Sequence, residues 1–197
     1  LHSFPHDALP ILIIGTSCGM AIRFPIEDLR PLGRSARGVI SMKLRAADTI
    51  IGCDIVPRNY DADLLVVTSD GFGKRTKLSE FRSQNRGGIG LIATKFKSNI
   101  SRLVALTIVE EKDEIMLVTA NGIVTRIKAG DISCQGRPAT GVRAQNLVDN
   151  DTVVSVNKIV NCDEDSNDSP DSFVTSAQEG TSAGEQTSLI DETNDAE

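Results

Sequence analysis

The chain has 197 residues, of which 40% are hydrophobic, 24% charged and 4% aromatic, and its formal net charge is −6. No run of about 18 apolar residues occurs and no basic-then-apolar leader opens the chain, which excludes a transmembrane helix and argues against secretion. The four cysteines form no C-x-x-C pair and both histidines lie near the N-terminus. We therefore predict no disulfide framework, no metal site and a cytoplasmic location.

The charge is divided unevenly along the chain. All 21 Lys and Arg residues lie at or before Lys158, together with 16 of the 27 acidic residues, so this part carries a net charge of +5. The remainder holds 11 acidic residues and no basic ones. The basic part is therefore compatible with a nucleic-acid partner, even though the whole chain is acidic.

The first segment, residues 1–10 (LHSFPHDALP), matches no part of the pattern that follows it. It begins with Leu rather than Met. We expect this leader to be linker or non-native sequence, without an assigned role.

Residues 11–160 contain three repeats, recognised by ILIIGTSCGMAIRF (11–24), LLVVTSDGFGKRT (64–76) and IMLVTANGIVTRI (115–127). Each repeat contains a Gly that is preceded by a Thr three residues earlier. This Gly is followed by an Arg four residues later, a second Arg 15 residues later and a second Gly 19 residues later. The first glycines are Gly19, Gly71 and Gly122, and the second are Gly38, Gly90 and Gly141. The spacings of 52 and 51 residues between the first glycines are typical of propeller-like or other modular β arrays.

Within a repeat, the local pattern predicts β-strands. Short apolar runs stop at Asp70-Gly71 and Asn121-Gly122, dipeptides that favour type I′ hairpin turns. Alternating residues follow each turn, and further strand-like runs end the repeat. We predict an all-β fold with about four short strands in each repeat of about 51 residues. Three such repeats would leave open sheet edges, so we expect the chain to be a piece of a larger array.

The last segment, residues 161–197, is rich in Ser, Asp, Glu, Thr and Gly and has almost no apolar residue to bury. Such a composition predicts a disordered tail. Two interpretations remain open: an inert solubilising tail, or a polyanion that competes for a basic face of the same molecule.

The most informative stretch is GKRTKLSEFRSQNRGGIG, residues 73–90. Lys74 and Arg75 end a predicted strand, and Arg86 opens a Gly-rich loop that contains Gly87, Gly88 and Gly90. Glycines let the backbone approach a ligand closely and form anion-binding concavities, and Arg offers a planar fork that matches phosphate oxygens. This stretch predicts phosphate binding, although we expect the recurring glycines to serve the backbone more than a ligand.

Taken together, GMAIRF…GRSARGV, LLVVTSDGFGKRT…RGGIG and IMLVTANGIVTRI…GRPATGV resemble consecutive blades of the C-terminal domain of DNA gyrase A. The resemblance implies a β-pinwheel, a six-bladed relative of the propeller whose basic rim wraps duplex DNA to support negative supercoiling. Three blades would be the second half of that domain. Residues 84–90, QNRGGIG, resemble the family's hallmark box but carry Asn85 and Ile89 where the box has cations.

The predicted DNA-contacting cations are Lys and Arg residues of the repeats that lie at strand ends and in loops, and most of them have no fixed acidic partner in sequence. They are Arg37, Lys43, Lys74, Arg75, Arg82, Arg86, Lys95, Lys97 and Arg143, with Gly87, Gly88 and Gly90 as loop glycines. An alternative holds for the second in-register arginines, because each has an acid six residues upstream and could form an ion pair within its blade. These pairs are Asp28–Arg34, Glu80–Arg86 and Asp131–Arg137.

We expect no catalysis by this chain. Its only tyrosine, Tyr60, lies between repeats and does not resemble a topoisomerase nucleophile, and there is no Walker loop. The resemblance implies that ATP and Mg²⁺ are bound by a partner protein, with gyrase B and a second gyrase A as partners on the bacterial chromosome. Two rivals remain: the corresponding domain of the gyrase A counterpart in topoisomerase IV, and a protein-interaction propeller fragment of the kelch or WD kind, against which the absence of Trp counts.

Overall fold

The computed structural model describes residues 10–58 and 60–159, which form eleven β-strands, three short 3-10 turns and no α-helix. The all-β prediction is confirmed for these residues. The predictions for residues 1–9 of the leader and for the acidic tail lie outside them. In the described ranges, no helix is long and apolar enough to span a bilayer.

The strands form three antiparallel sheets, which we call blades 1 to 3 because each is built on the hairpin of one repeat. In every blade a hairpin is joined by a third strand that returns along its first strand. Blade 1 contains β1 (Ile11–Thr16), β2 (Met20–Pro25) and β3 (Ile50–Val56). Blade 2 contains β4 (Asp63–Thr68), β5 (Phe72–Lys77) and β7 (Leu103–Val109). Blade 3 contains β8 (Glu114–Thr119), β9 (Val124–Lys128) and β11 (Val153–Ile159).

The fourth strand of a blade comes from the next repeat. The short strand β6 (Leu91–Ile92) follows the Gly-rich loop of repeat 2 but pairs with β2 of blade 1, with Leu91 opposite Ala21. In the same way β10 (Val142–Arg143) of repeat 3 pairs with β5 of blade 2. The order in blades 1 and 2 is therefore β3-β1-β2-β6 and β10-β5-β4-β7. The predicted four strands are present in these two blades, but one strand of each is exchanged.

The hairpin turns differ from the prediction. The Gly71 N–H donates to the Thr68 carbonyl over 3.1 Å, and Gly71 has a φ of +80°. In no hairpin turn does the residue before the Gly have a positive φ, whereas a type I′ turn requires two such residues. The prediction of type I′ is wrong because the loop has three residues, and its last residue, the Gly, takes the left-handed conformation that follows a type I turn.

The apolar core lies between successive blades. The central strands β1 and β4 are buried at every residue, as a short continuous apolar run favours. One buried cluster joins Ile11 and Ile13 of blade 1 to Leu64 and Val66 of blade 2. A second joins blade 2 to blade 3 through residues of β4, β7 and β8. Each blade therefore buries its face against its neighbour, which fixes the loops of one repeat beside the strands of another.

Candidate nucleic-acid interface

The nine predicted DNA-contacting cations divide by exposure. Arg37, Lys43, Arg82, Lys95, Lys97 and Arg143 are exposed, Arg86 is half-buried, and Lys74 and Arg75 are buried. The exposed six are available to a polyanion. The buried two need a separate explanation, because a charged group is expensive to bury without partners.

Two of the exposed lysines recur at one position of successive repeats. Lys43 and Lys95 each follow the second Gly of their repeat by five residues. The Lys43 N–H donates to the Gly88 carbonyl over 2.8 Å, and the Lys95 N–H donates to the Ala139 carbonyl over 3.5 Å. Each lysine is therefore held beside the Gly-rich loop of the following repeat. The same position in two neighbouring repeats gives a row of cations that follows the array from blade to blade.

Blade 2 brings two further predicted cations together on one aromatic ring. The Lys97 Nζ lies 5.0 Å from the centroid of the Phe72 ring, and the Arg143 guanidinium carbon lies 5.1 Å from it. Arg143 reaches this place because β10 is exchanged into blade 2, where it lies opposite Phe72. Contact with the ring face holds both cations electrostatically while leaving their donors open to solvent. Residues from repeats 2 and 3 thus form one cationic site, which we call the Phe72 cluster: Phe72, Lys97 and Arg143.

The Gly-rich loop of repeat 2 lines an open cavity of about 470 Å³ with Arg82, Gln84, Asn85, Gly88 and Gly90 among its walls. Two of its backbone donors already form hydrogen bonds inside the protein. The Gln84 N–H donates to the Arg23 carbonyl, and the Gly87 N–H donates to the Ser41 carbonyl. The loop is thus a concavity with a flexible cation, Arg82, at its wall, rather than a complete ring of free amides.

The loop glycines have different reasons to be glycine. Gly90 has a φ of +84°, and a Cβ there would lie 2.7 Å from the Ala21 carbonyl oxygen of blade 1. Gly141 repeats this arrangement against Gly73. Gly87 has a φ of +81° with open space around it, and Gly88 has neither a positive φ nor a close contact. Gly90 therefore permits strand exchange, which agrees with the expectation that the recurring glycines serve the backbone.

Lys74 does not belong to the interface. Its side chain is 0% exposed, and its Nζ donates to the Gly136 carbonyl over 2.8 Å and to the Arg137 carbonyl over 2.5 Å. Burial lowers the pKa of Lys74 to about 8, with Glu80 acting against this shift and Arg137 adding to it. Lys74 attaches blade 2 to the loop of repeat 3, so the prediction that it contacts DNA is wrong.

Arg75 is a second correction. Its side chain is buried, and its guanidinium donates to Asp63 over 2.8 Å, to Glu111 over 3.2 Å and to the Ile132 carbonyl over 2.8 Å. It therefore joins blade 2 to blade 3. The same position in repeat 1 is held by Arg23, whose Nη1 donates to the Phe81 carbonyl over 3.0 Å. In repeats 1 and 2 the first in-register arginine is therefore a clamp between blades, whereas Arg126 of repeat 3 pairs with Glu114 of its own hairpin.

Two of the second in-register arginines, Arg86 and Arg137, also act between repeats. The Arg86 Nη1 donates to the Ile40 carbonyl over 2.6 Å, and the Arg137 Nη1 donates to the Ile92 carbonyl over 3.2 Å. None of the three predicted pairs of these arginines with the acid six residues upstream is among the ion pairs of residues 10–58 and 60–159. Instead, Glu80 accepts the backbone N–H of Arg137 over 3.1 Å. The alternative of an ion pair within each blade is wrong, since none of the three pairs forms among the described residues and the contacts of Arg86 and Arg137 cross to the neighbouring repeat.

The sequence prediction missed Phe72 and Arg102. Phe72 follows the hairpin Gly directly, a position that carries Met20 and Ile123 in the other repeats, so nothing in sequence marked it as a platform for cations. Arg102 is exposed and lines one cavity of about 430 Å³ together with Lys95. Its position in a loop just before β7 could have suggested it, because the predicted cations also lie in loops or at strand ends.

Comparison with known proteins gives the family. The model of the DNA gyrase C-terminal domain, described as a beta-propeller, matches residues 10–57, 62–110 and 113–159. The chain belongs to the DNA gyrase C-terminal domain family. Its three matched segments correspond to the three blades, and the predicted family and three-repeat fold are confirmed.

Relatives of this gyrase domain agree with the assignment. The chain is 37% identical over 183 residues to the DNA gyrase A protein of Staphylococcus aureus (strain NCTC 8325 / PS 47), an alignment that covers 92% of the chain and 21% of the relative. The strain MRSA252 protein is 37% identical over 182 residues, covering 92% of the chain and 20% of the relative. The chain thus spans about a fifth of the length of these curated relatives.

Solved structures show the same domain. A DNA gyrase A C-terminal domain superposes with a TM-score of 0.68 and 32% identity, covering 76% of this chain and 50% of that one. The C-terminal domain of a DNA topoisomerase IV superposes with a TM-score of 0.69 and 27% identity, covering 78% and 47%. Both neighbours are therefore about twice as long as the part they share with this chain.

Proposed function

We propose that this chain is a DNA-binding and DNA-wrapping module of a bacterial DNA gyrase A. The observation that carries the proposal is the row of exposed cations, in which Lys43 and Lys95 recur at one repeat position and the Phe72 cluster adds two more. A row that advances from blade to blade matches a duplex laid along the outside of a modular array. The family and its relatives support the same function.

The chemistry of such binding is contact with phosphates. Lys and Arg at the end of flexible side chains neutralise phosphate charge and release condensed counterions, so binding is tolerant of sequence and steep in salt. Bending the duplex costs energy, which the added contacts along the row offset, as in other proteins that wrap DNA. The array contributes a charged surface, and no bond-making group is required of it.

The wider assembly follows from the same proposal. We infer that the chain acts within a type II topoisomerase that introduces negative supercoils, with gyrase B and a second gyrase A as partners and with ATP and Mg²⁺ bound by the partner protein. The location would be the bacterial cytoplasm, on the chromosome. This chain itself would bind duplex DNA and carry out no chemical step.

A second candidate function is the corresponding part of topoisomerase IV, because its C-terminal domain superposes as well as the gyrase domain does. The gyrase assignment is favoured by the higher identity of the gyrase structure, 32% against 27%, and by the gyrase A relatives. Both candidates use the same cationic row, so they share one binding test.

The test is a titration of a labelled duplex with the whole chain over a range of salt concentrations. We expect the logarithm of the affinity to fall linearly with the logarithm of salt concentration, with a slope of about −0.9 for each phosphate neutralised. Duplexes of unrelated sequence should give the same slope. Absence of binding at low salt, or an affinity that does not change with salt, would contradict phosphate contact and favour a protein-binding propeller.

We further infer that the acidic tail, residues 161–197, competes with DNA for the row, because it holds 11 acidic and no basic residues while residues 1–160 carry a net charge of +5. Ending the chain at residue 160 should therefore tighten binding at low salt, where charge interactions are strongest. Equal affinities in the same titration would show that the tail is only a solubilising segment.

A further inference from the structure

Two cavities lie at equivalent places in the array, where the hairpin turn of one blade meets the loop of the next repeat. At both junctions, backbone N–H groups at the two ends of the loop that enters the last strand of the later repeat donate to carbonyls of the turn. These bonds, of 2.8 to 2.9 Å, join Ala93 to Gly19 and Leu103 to Ser17 at the first junction, and Ala144 to Gly71 and Val153 to Ser69 at the second. The two cavities therefore share one backbone framework.

The charges that line the two cavities are opposite. The cavity at the first junction has a volume of about 430 Å³, and Cys18, Lys95 and Arg102 line it, with no carboxylate among the described residues of its wall. The cavity at the second junction has a volume of about 400 Å³, and its described wall contains Asp70 and Asp151 but no cation. Because the framework is shared, the fold itself does not require cations at the first junction.

The two cations of the first cavity are available to a ligand. Neither Lys95 nor Arg102 belongs to an ion pair of residues 10–58 and 60–159. The Arg102 Nη1 donates to two carbonyls of its own loop over 2.9 and 3.0 Å, which fixes the guanidinium and leaves its other nitrogens open. Asp48 accepts the Cys18 N–H over 2.9 Å, but its side chain is buried and does not line the cavity.

We propose that the cavity at the first junction binds a phosphate of duplex DNA. This inference rests on the function proposed above and adds a defined subsite to it. Arg102 presents planar N–H donors that match phosphate oxygens, and Lys95 supplies the second positive charge. The bound phosphate lies beside the thiol of Cys18. The carboxylates of the second cavity repel phosphate, so the duplex contacts the two junctions unequally.

The first test uses Cys18 as a reporter in the whole chain. Its rate of alkylation by N-ethylmaleimide is followed by peptide mass spectrometry at low salt, with Cys53, which is exposed on β3, as the internal reference. A duplex at about ten times its Kd should slow the reaction of Cys18 about tenfold and leave that of Cys53 unchanged. Duplex binding without protection of Cys18 would overturn the subsite but not the DNA-binding proposal, whereas absence of duplex binding would overturn both.

A second arm of this test separates the duplex from a free anion, because both offer the same phosphate chemistry. Inorganic phosphate replaces the duplex at an equal concentration of phosphate groups. We expect no protection of Cys18 under these conditions, since a free anion has no neighbouring contacts to hold it in the cavity. Equal protection by the two ligands would show a site for free phosphate and would overturn the assignment to DNA.

A pair of charge-matched variants tests the role of the cavity cations. Arg102→Gln should make the slope of the logarithm of affinity against the logarithm of salt concentration shallower by about 0.9, and should weaken the protection of Cys18. Arg58→Gln removes an exposed cation beyond the end of β3 and should change neither quantity. Circular dichroism checks that both variants are folded. An unchanged slope and unchanged protection in Arg102→Gln would overturn the proposal.

Discussion

At the scale of single residues, the position of a cation in the repeat decides whether it faces solvent or a neighbouring repeat. Lys74 is the clearest case, since its ammonium group is enclosed by two carbonyls of the repeat 3 loop. The alignment of the repeats already indicated that Lys74 is buried, because the same position carries Ile22, which is buried, and Thr125 in the other repeats. Comparing repeats position by position predicts burial better than counting charges does.

The buried ammonium group of Lys74 predicts a pH dependence of stability. Its pKa is lowered by burial to about 8 from an ordinary 10.5, so between these values the unfolded chain binds more protons than the folded chain. The free energy of unfolding contributed by this group therefore rises with pH from about 8 to about 10.5. Urea unfolding of the wild type and of Lys74→Met should show this rise only in the wild type.

The control for this experiment is Lys97→Met, which removes an exposed lysine. Its stability profile should run parallel to that of the wild type. If Lys74→Met also runs parallel to the wild type across this pH window, the lowered pKa of the buried lysine is refuted.

At the scale of strands and blades, the structure depends on contacts that cross from one repeat to the next. Arg23 and Arg75 each hold a carbonyl of the following repeat, and β6 and β10 each complete the preceding blade. The repeated arginines are therefore part of the scaffold that places Arg143 and Lys97 on the ring of Phe72.

The clamp at Arg75 predicts a large loss of stability when it is removed. Arg75→Ala leaves Asp63, which is 4% exposed, with Lys77 as its one remaining ion-pair partner among the described residues. Breaking one partner of a buried pair costs about 3 kcal/mol or more, and Lys77 should keep the loss near that lower figure. The measurement is the free energy of unfolding from urea titration.

Lys128→Ala, a change at an exposed cation at the end of β9, is the comparison and should cost less than about 0.5 kcal/mol. The double variant Arg75→Met with Asp63→Leu should recover part of the lost stability, because no unpaired charge remains buried. A loss for Arg75→Ala no larger than that for Lys128→Ala would show that the clamp does not stabilise the array.

Much of the strand and blade structure could be predicted from the sequence, whereas the exchange of strands between blades could not, for a physical reason. The repeat period, the apolar runs of β1, β4 and β8 and the hairpin glycines predict three β units, because these are local properties of the chain. Exchange of Leu91–Ile92 onto blade 1 depends on which edge is nearest after packing, and local pattern carries no such information. The predicted turn type is wrong because the Asp-Gly pair is only part of a three-residue loop.

At the scale of the whole molecule, the negative net charge conceals a basic array. Residues 1–160 carry 21 basic and 16 acidic residues, and the exposed members of the basic set include a row that passes from one blade to the next. The row could be predicted in part, since six of the nine predicted cations are exposed. Lys74 and Arg75 are buried and do not belong to it. The Phe72 cluster could not be predicted, because it forms only through strand exchange. The surface that we propose for DNA is a property of the assembled blades.

The most direct test of this claim compares duplex binding by two double variants that each lose two positive charges. The measured quantity is the slope of the logarithm of affinity against the logarithm of salt concentration. Lys97→Gln with Arg143→Gln removes two cations from the Phe72 cluster. Arg58→Gln with Lys128→Gln removes two exposed cations at the strand ends opposite the hairpin turns. We predict that the first pair makes the slope shallower by about 1.8, corresponding to two phosphate contacts, and that the second leaves it unchanged. Equal changes in the two variants, or no change in the first, would contradict the account.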